Sequence, residues 1–370
     1  MKSEKIIVIS CLSILYLGFI LFLVVPKKAF SENENRYLQT MPIFSFPALF
    51  EKKFIPELEE YINDNFILRD KWVALKSGSE LLVGKREIND IFIGKNEYLI
   101  EKYKKLSSRD YERMVNILNK FSEKVDNISF LLIPSKISIY KDYLPEHVNS
   151  KEELEAMYKL YEDLLGYKMI DIYSILKEHR EEELFFRLDH HWNMLGAYYA
   201  YQEICKIYNL ECMSLDEFAR EIVTNDFKGT FYSRTGIYHY KPDVIEVYNS
   251  KKDTKYKVKY VFDNKETNTL YEKDYLKRKD KYSYFLDNNH PLIIIENEKV
   301  LERELLIVKD SYANILIPFL LNHFSRIHVI DPRYYPDAIS DYALENNIKE
   351  TLIIYNMNGI GKDQGVFQIR

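Results

Sequence analysis

The sequence predicts an α/β fold built on a mainly parallel central sheet. Short apolar runs recur along the chain: Ile128 to Ile133, Leu292 to Ile295, Leu305 to Val308, Ile327 to Ile330 and Leu352 to Tyr355. The first, a continuous run ending in Pro134, has the pattern of a strand covered on both faces. Helices fit between the last three, and strand–helix–strand units of this spacing join parallel neighbours, with helices on both faces of the sheet. Composition agrees. With 46% hydrophobic and 29% charged residues, and only eleven Gly and eleven Pro in 370, the chain is a folded one and not collagen-like or low-complexity.

The N-terminus is of a different material. Ile6 to Val25 contains no charged residue. At ~1.5 Å per residue it is ~30 Å long, the thickness of a bilayer's hydrocarbon core. Val25, Pro26, Lys27 and Lys28 follow it in place of a small-residue cleavage site, so it reads as an uncleaved anchor rather than a signal peptide. Lys2 and Lys5 before it balance Lys27 and Lys28 after it, so the positive-inside rule leaves orientation open. The predicted organisation is a short tail at 1–5, the anchor at 6–25, a stalk with lead-in helices at 26–89, and an α/β domain at 90–370.

Along the body, Ile55, Leu58, Tyr61 and Ile62 share one helical face, and Trp72 and Leu75 another, which predicts two short helices in 54–82. Ile91 to Ile93 and Tyr98 to Ile100 flank a turn at Gly94-Lys95-Asn96 and predict short strands. Helices are expected at 110–125 and 152–165, a strand at 169–173 and a helix at 191–208. Residues 240–280, polar and lysine-rich, predict an irregular insertion reaching to about 290, with a β-hairpin in it. Helices are expected again at 312–323 and 336–346.

Charge and cysteine content exclude some functions. A net charge of −5 provides no basic footprint for nucleic acid. Cys11, Cys205 and Cys212 are too few for a disulfide framework or a cysteine zinc site, and free thiols are expected. The 15% aromatic content suits a large core and also a surface that stacks on sugar rings.

In a parallel sheet, sites form beyond the carboxyl ends of the strands. Lys309-Asp310-Ser311 follows the run Leu305 to Val308 at the entry to a helix. A serine on such a turn is displayed at the sheet edge, and the N–H groups beside it can stabilise an oxyanion. An ordinary helix cap fits the same position. Leu188-Asp189-His190-His191-Trp192-Asn193 stands at another element boundary. Asp189 and His191 there can supply a general base and its orienting carboxylate from one loop. Asp189 also fits a helix cap. A metal site built from Asp189, His190 and His191 is disfavoured, because three adjacent residues are not expected to converge on one ion; no metal or other cofactor is expected. Asn356, after Leu352 to Tyr355, is a candidate donor to an oxyanion or a sugar hydroxyl, or a plain turn residue before Gly359. Tyr232 and Arg234, in Gly229-Thr230-Phe231-Tyr232-Ser233-Arg234, are candidate polysaccharide contacts, or members of a plain loop. Lys136, after Pro134-Ser135, also sits at a strand end.

Asp189-His190-His191-Trp192, with Asn193 and Gly196-Ala197-Tyr198 following, resembles the DHHW protein family and is similar to the D-x-H-W motif of alginate O-acetyltransferases. Further blocks carry the likeness in order: Ser31-Glu32-Asn33-Glu34-Asn35-Arg36-Tyr37-Leu38, Tyr61-Ile62-Asn63-Asp64-Asn65-Phe66, Gly84-Lys85-Arg86-Glu87-Ile88-Asn89-Asp90, Phe227-Lys228-Gly229-Thr230-Phe231-Tyr232-Ser233 and Lys309-Asp310-Ser311-Tyr312. The resemblance implies a three-layer domain like the SGNH hydrolases, in permuted order, with Ser311 as nucleophile, His191 as base and Asp189 as orienting carboxylate. It implies an exported, single-pass membrane protein, its body on the extracellular side, that acetylates a cell-surface polysaccharide, with a membrane-bound O-acyltransferase as acetyl supplier. Lys309 stands where a G-D-S block would have glycine. A polysaccharide acetylesterase, or a non-catalytic tethered glycan-binding or assembly protein, would keep the same fold.

Overall fold

The computed structural model describes residues 2–31, 33, 36–252, 254–300, 302–362 and 364–370. Met1 of the expected tail, and Glu32, Glu34 and Asn35 of the lead-in block, lie outside them. Two compact units divide the chain: residues up to Ile88 together with Tyr232–Tyr240, and Asn89–Phe231 together with Lys241–Arg370.

The larger unit is organised around eight strands, named here in chain order: β1 (Ile128–Ile133), β2 (Tyr167–Ile170), β3 (Tyr256–Tyr260), β4 (Lys265–Thr267), β5 (Leu292–Asn297), β6 (Glu304–Lys309), β7 (Arg326–Ile330) and β8 (Thr351–Asn356). Their spatial order is β4-β3-β5-β7-β6-β8-β1-β2. From β7 to β2 every pairing is parallel; β5, β3 and β4 extend the sheet antiparallel.

The apolar runs form strands because both of their faces find a core. Leu131 and Ile133 of β1, Leu305 and Ile307 of β6, and Leu352 and Ile354 of β8 pack on one side. Phe130 and Leu132, Leu306 and Val308, and Ile353 and Tyr355 pack on the other. Helix Met194–Tyr208 covers the first side with Ala197, Tyr201 and Ile204. Helices Ser108–Ser122 and Glu152–Asp163 cover the second with Met114, Leu118 and Phe121, and with Met157 and Leu160. The result is three layers.

Several elements differ from expectation. The strand expected over 169–173 is Tyr167–Ile170, and Tyr173 already opens a helix, Tyr173–Glu178. The helix expected from His191 begins at Met194, because Asn193 is extended and its side chain accepts from the N–H groups of Leu195 and Gly196. His191 is thereby left in the loop, where Trp192 bridges to Phe185. The helix expected over 312–323 is instead a 3₁₀ turn, Ser311–Ile315, followed by a short α-helix, Ile317–Leu320. Pro318 has no N–H and its ring would collide with the preceding turn, so one continuous helix cannot form. The segment expected to be irregular contains strand Asp243–Ser250, paired antiparallel with Phe218–Phe227, and edge strands β3 and β4. There Ile245 and Val247, on either side of half-buried Glu246, and Val258 and Tyr260, on either side of exposed Lys259, alternate into the core.

In the smaller unit, helix Lys2–Val24 is long and apolar enough to cross a membrane, and none of Lys5–Val24 is buried. The lead-in helices are Phe54–Asp64 and Arg69–Leu82. The Asp64 carboxylate accepts from the Arg36 guanidinium and the Gln39 N–H, tying the start of the lead-in to the end of helix Phe54–Asp64, which the short helix Phe46–Phe50 precedes. Ser77 Oγ donates to the Thr235 carbonyl at 2.7 Å. Gly236 has φ +67, and a Cβ there would lie 2.6 Å from Val73 Cγ1, so close packing and a left-handed backbone both require glycine.

Candidate functional site

Ser311 lies just beyond β6, at the carboxyl edge of the sheet. The turn is fixed by Asp310, whose Oδ1 accepts from Tyr312 N at 2.9 Å and whose Oδ2 accepts from Asn356 N, at the end of neighbouring β8, at 2.7 Å. The Ser311 side chain is thereby held at the surface of the sheet edge. Its N–H makes no hydrogen bond among the described residues.

The Asp189–Trp192 loop meets this turn. His191 Nε2 is 2.8 Å from Ser311 Oγ, and His191 Nδ1 is 2.6 Å from Asp189 Oδ1. An ionised carboxylate only accepts, so Nδ1 carries the hydrogen and the Nε2 lone pair faces the serine hydroxyl. Asp189 and His191 are buried. Oδ1 also accepts from His191 N at 3.0 Å, while Oδ2 accepts from Thr230 N at 2.8 Å and Thr230 Oγ1 at 3.0 Å. Burial would raise the Asp189 carboxyl, but the charges and hydrogen bonds of His190 and His191 outweigh it and hold it well below the usual range. Burial, reinforced by the His190 ring, pushes the His191 imidazole down to about 3 against the opposing pull of Asp189.

Lys136, noted above only as a strand-end residue, and several residues not singled out before build this geometry. Lys136 is buried, and its Nζ donates to the carbonyl oxygens of Phe186 at 2.9 Å, Arg187 at 3.1 Å and Asp189 at 2.7 Å. A single ammonium thus gathers the loop that carries Asp189 and His191. Burial lowers this lysine to about 7. Asp243 takes the other side of the loop, accepting from Leu188 N at 2.8 Å and Arg187 Nε at 3.1 Å. Trp192 Nε1 donates to the Tyr312 carbonyl at 2.8 Å, and Tyr312 Oη donates to the His190 carbonyl, so the two loops are stitched in both directions. The Tyr282 ring stacks on His191, and its hydroxyl donates to the Ser311 carbonyl. At Gly229, a Cβ would lie 2.3 Å from Asp189 Cβ and Oδ2; only glycine lets the chain approach the carboxylate.

The other expected residues are placed as follows. Asn356 is buried; its Nδ2 donates to the Ile133 carbonyl at 3.1 Å and its Oδ1 accepts from the N–H groups of Asn358 and Gly359. Its side chain thus bonds within the turn after β8 and to the end of β1. Tyr232 and Arg234 belong to the smaller unit. The ligand atoms of Asp189, His190 and His191 lie within 4.8 Å of one another, which corrects the expectation that adjacent residues cannot converge. A cation there would compete with the His191 and Thr230 donors that both Asp189 oxygens already accept. Cys205 and Cys212 are free thiols.

The position of Lys136 at a strand end and the glycine of Gly229-Thr230 were local signals for two of the supporting residues. Tyr282 carries none: it is one of 31 tyrosines, in a lysine-rich stretch.

No curated protein compared with the chain matches it by sequence. Among solved structures, a DHHW family protein from Eubacterium siraeum is similar over 76% of this chain and 96% of its own, with 23% identity and a TM-score of 0.65. Bacillus cereus PatB1, solved with a sulfonyl adduct, is similar over 73% and 95%, with 22% identity and a TM-score of 0.63. A weaker likeness, TM-score 0.44 and 12% identity over 73% and 92%, is to the O-acetyltransferase domain of Pseudomonas putida AlgJ. The larger unit thus shares its three-layer α/β fold, with a mainly parallel sheet, with the DHHW family protein and PatB1. The family model described as DHHW protein matches residues 87–330, about two thirds of the sequence and the stretch that contains Asp189, His190, His191 and Trp192, and the chain belongs to that family.

Proposed function

We propose that this protein is a membrane-anchored O-acetyltransferase acting on a cell-surface polysaccharide through an acetyl-Ser311 intermediate. The observation that carries the reading is the line from Ser311 Oγ through His191 Nε2 and Nδ1 to Asp189 Oδ1, with contacts of 2.8 and 2.6 Å. His191 takes the Ser311 proton as Oγ attacks the acetyl carbonyl of the donor. The free Ser311 N–H stands beside the oxyanion that forms. The donor's leaving group departs with the proton from His191. A sugar hydroxyl then gives its proton to His191 and attacks the acetyl carbon; the Ser311 oxygen leaves and recovers that proton. Water in the place of the sugar gives hydrolysis instead, so the outcome depends on how well the site holds sugar and excludes water. The class of acyl group and acceptor rests on the resemblance of the Asp189–Trp192 segment to the alginate O-acetyltransferases. The apolar helix Lys2–Val24 supports an anchor; a body on the extracellular side and a membrane-bound O-acyltransferase as acetyl supplier rest on the family resemblance.

The test is acetyl transfer from an activated acetyl ester to oligosaccharide, followed by mass spectrometry. Ser311→Ala and His191→Ala are expected to lower transfer by ~10³-fold or more. A sulfonyl fluoride is expected to label the wild-type protein once, at Ser311. Transfer at the wild-type rate by folded Ser311→Ala would overturn the reading, and ester cleavage without transfer would make the protein an esterase.

A further inference from the structure

Helix Arg69–Leu82 has two unlike faces. One packs within its own unit: Ser77 is buried and bonded to the Thr235 carbonyl, and Val73 lies under Gly236. On the opposite side Trp72, Leu75 and Leu82 are 54%, 58% and 89% exposed. At ~100° per residue these three positions fall within an arc of about 80°, with exposed Ser79 the polar residue among them. Lys71 and Lys76, both exposed, flank this stripe on either side. An apolar stripe with a tryptophan, bordered by lysines whose stems reach outward, is the pattern of a helix lying in a membrane interface.

The surroundings agree. Ile43, Phe46 and Phe50, in the same unit, are 90%, 68% and 81% exposed, and Ile55 and Ile62 stand one above the other on the outer side of helix Phe54–Asp64. So much exposed apolar surface in one short segment marks a contact surface. Its neighbour identifies the partner. The end of the apolar helix Lys2–Val24 touches this lead-in directly, with Phe22 edge-to-face on Tyr61 at 6.0 Å between centroids. Lys52, Lys53, Lys71 and Lys76 are offset by Glu51, Glu57, Glu59 and Glu60, so the surface is not strongly basic and apolar burial must provide the attraction.

We propose that the lead-in from Met41 to Leu82 is a membrane-interface collar, its Trp72–Leu75–Leu82 stripe seated at the headgroup–acyl boundary beside the spanning helix. This rests on the reading of Lys5–Val24 as a membrane span.

The chain suits a direct test, because it has only two tryptophans and the other, Trp192, is fully buried. The full-length protein is reconstituted into phosphatidylcholine vesicles, with or without bromine on the acyl chains, and floated on a density gradient. Co-flotation with an about two-fold fall in tryptophan emission in brominated vesicles is expected, Trp72 being one of two emitters. Trp72→Phe is expected to abolish the quenchable part and leave the Trp192 emission unchanged. Leu75→Asp with Leu82→Asp is expected to relieve the quenching without releasing the protein from the vesicles. Co-flotation with no quenching would overturn the collar and leave the span standing, and would be the result if a second protein, not lipid, covered the stripe. Failure to float would overturn both.

Discussion

The ring of Tyr282 lies parallel to the imidazole of His191, with 3.5 Å between centroids and 8° between planes, and its hydroxyl donates to the Ser311 carbonyl oxygen at 3.0 Å. One side chain therefore sets both the tilt of the base and the position of the serine turn, from a segment near to neither in sequence. It stacks on the imidazole and bonds the serine turn, with no hydrogen bond to Ser311 Oγ or His191 Nε2, so its role is one of positioning.

Tyr282→Phe keeps the stack and loses the hydroxyl bond; Tyr282→Leu loses both. The expected order is a several-fold loss of kcat for the first and ~10²-fold for the second, since a displacement of about 1 Å at the reacting atoms has that effect. KM for the acetyl donor is expected to stay near the wild-type value. Steady-state kinetics of acetyl-ester turnover checks this, and equal kcat for Tyr282→Leu and wild type would remove Tyr282 from the site.

Gly229 is expected to tolerate no side chain. A methyl group there would overlap the Asp189 carboxylate, which must then turn away from His191 Nδ1 or from Thr230. Gly229→Ala is expected to cost about 1–3 kcal/mol of stability through overpacking. It is also expected to lower kcat toward the level of Asp189→Asn, because both leave the imidazole without its orienting acceptor. Urea unfolding and acetyl-ester kinetics on the two variants check this; wild-type kcat in Gly229→Ala would sink it.

The acid limb of activity is expected well below the ordinary histidine range. Only unprotonated His191 can accept the serine proton, and burial with the neighbouring His190 pushes its imidazole down to about 3. The two rings lie 3.8 Å apart and do not both carry charge easily; His190, the more exposed, takes the proton first, raised by Asp189 against the effect of burial. Activity is therefore expected to persist as pH falls through 6.5 and to be lost only below it. His190→Gln removes one of the causes that lower His191, so its acid limb is expected to move to higher pH. Profiles of kcat/KM from acid to neutral pH on the two proteins check the sign of that displacement; no movement, or movement to lower pH, would contradict it.

How much of this was legible in the sequence varies with distance along the chain. Ile128 to Ile133 and Leu352 to Tyr355 announced buried strands because the apolar run is itself the cause of burial on both faces. Asp189 and His191 were legible because two residues on one loop carry their own geometry. Ser311 was legible as a strand-end serine, yet an N-cap fitted that position equally until Asp310 was found to be the residue capping the turn. The lysine-rich segment hid its strands because Ile245 and Val247, or Val258 and Tyr260, make too short an alternation to stand out among charges.

By itself the sequence determined the layered α/β class, the apolar N-terminal helix and the family motif, since each depends on residues close together in the chain. Only the tertiary structure decided that Lys136, Gly229, Thr230 and Tyr282 converge on one aspartate–histidine loop, and that the Asn356 side chain bonds to Ile133, Asn358 and Gly359. Those assignments depend on which distant segments pack together, and packing between distant segments leaves no period or spacing to read.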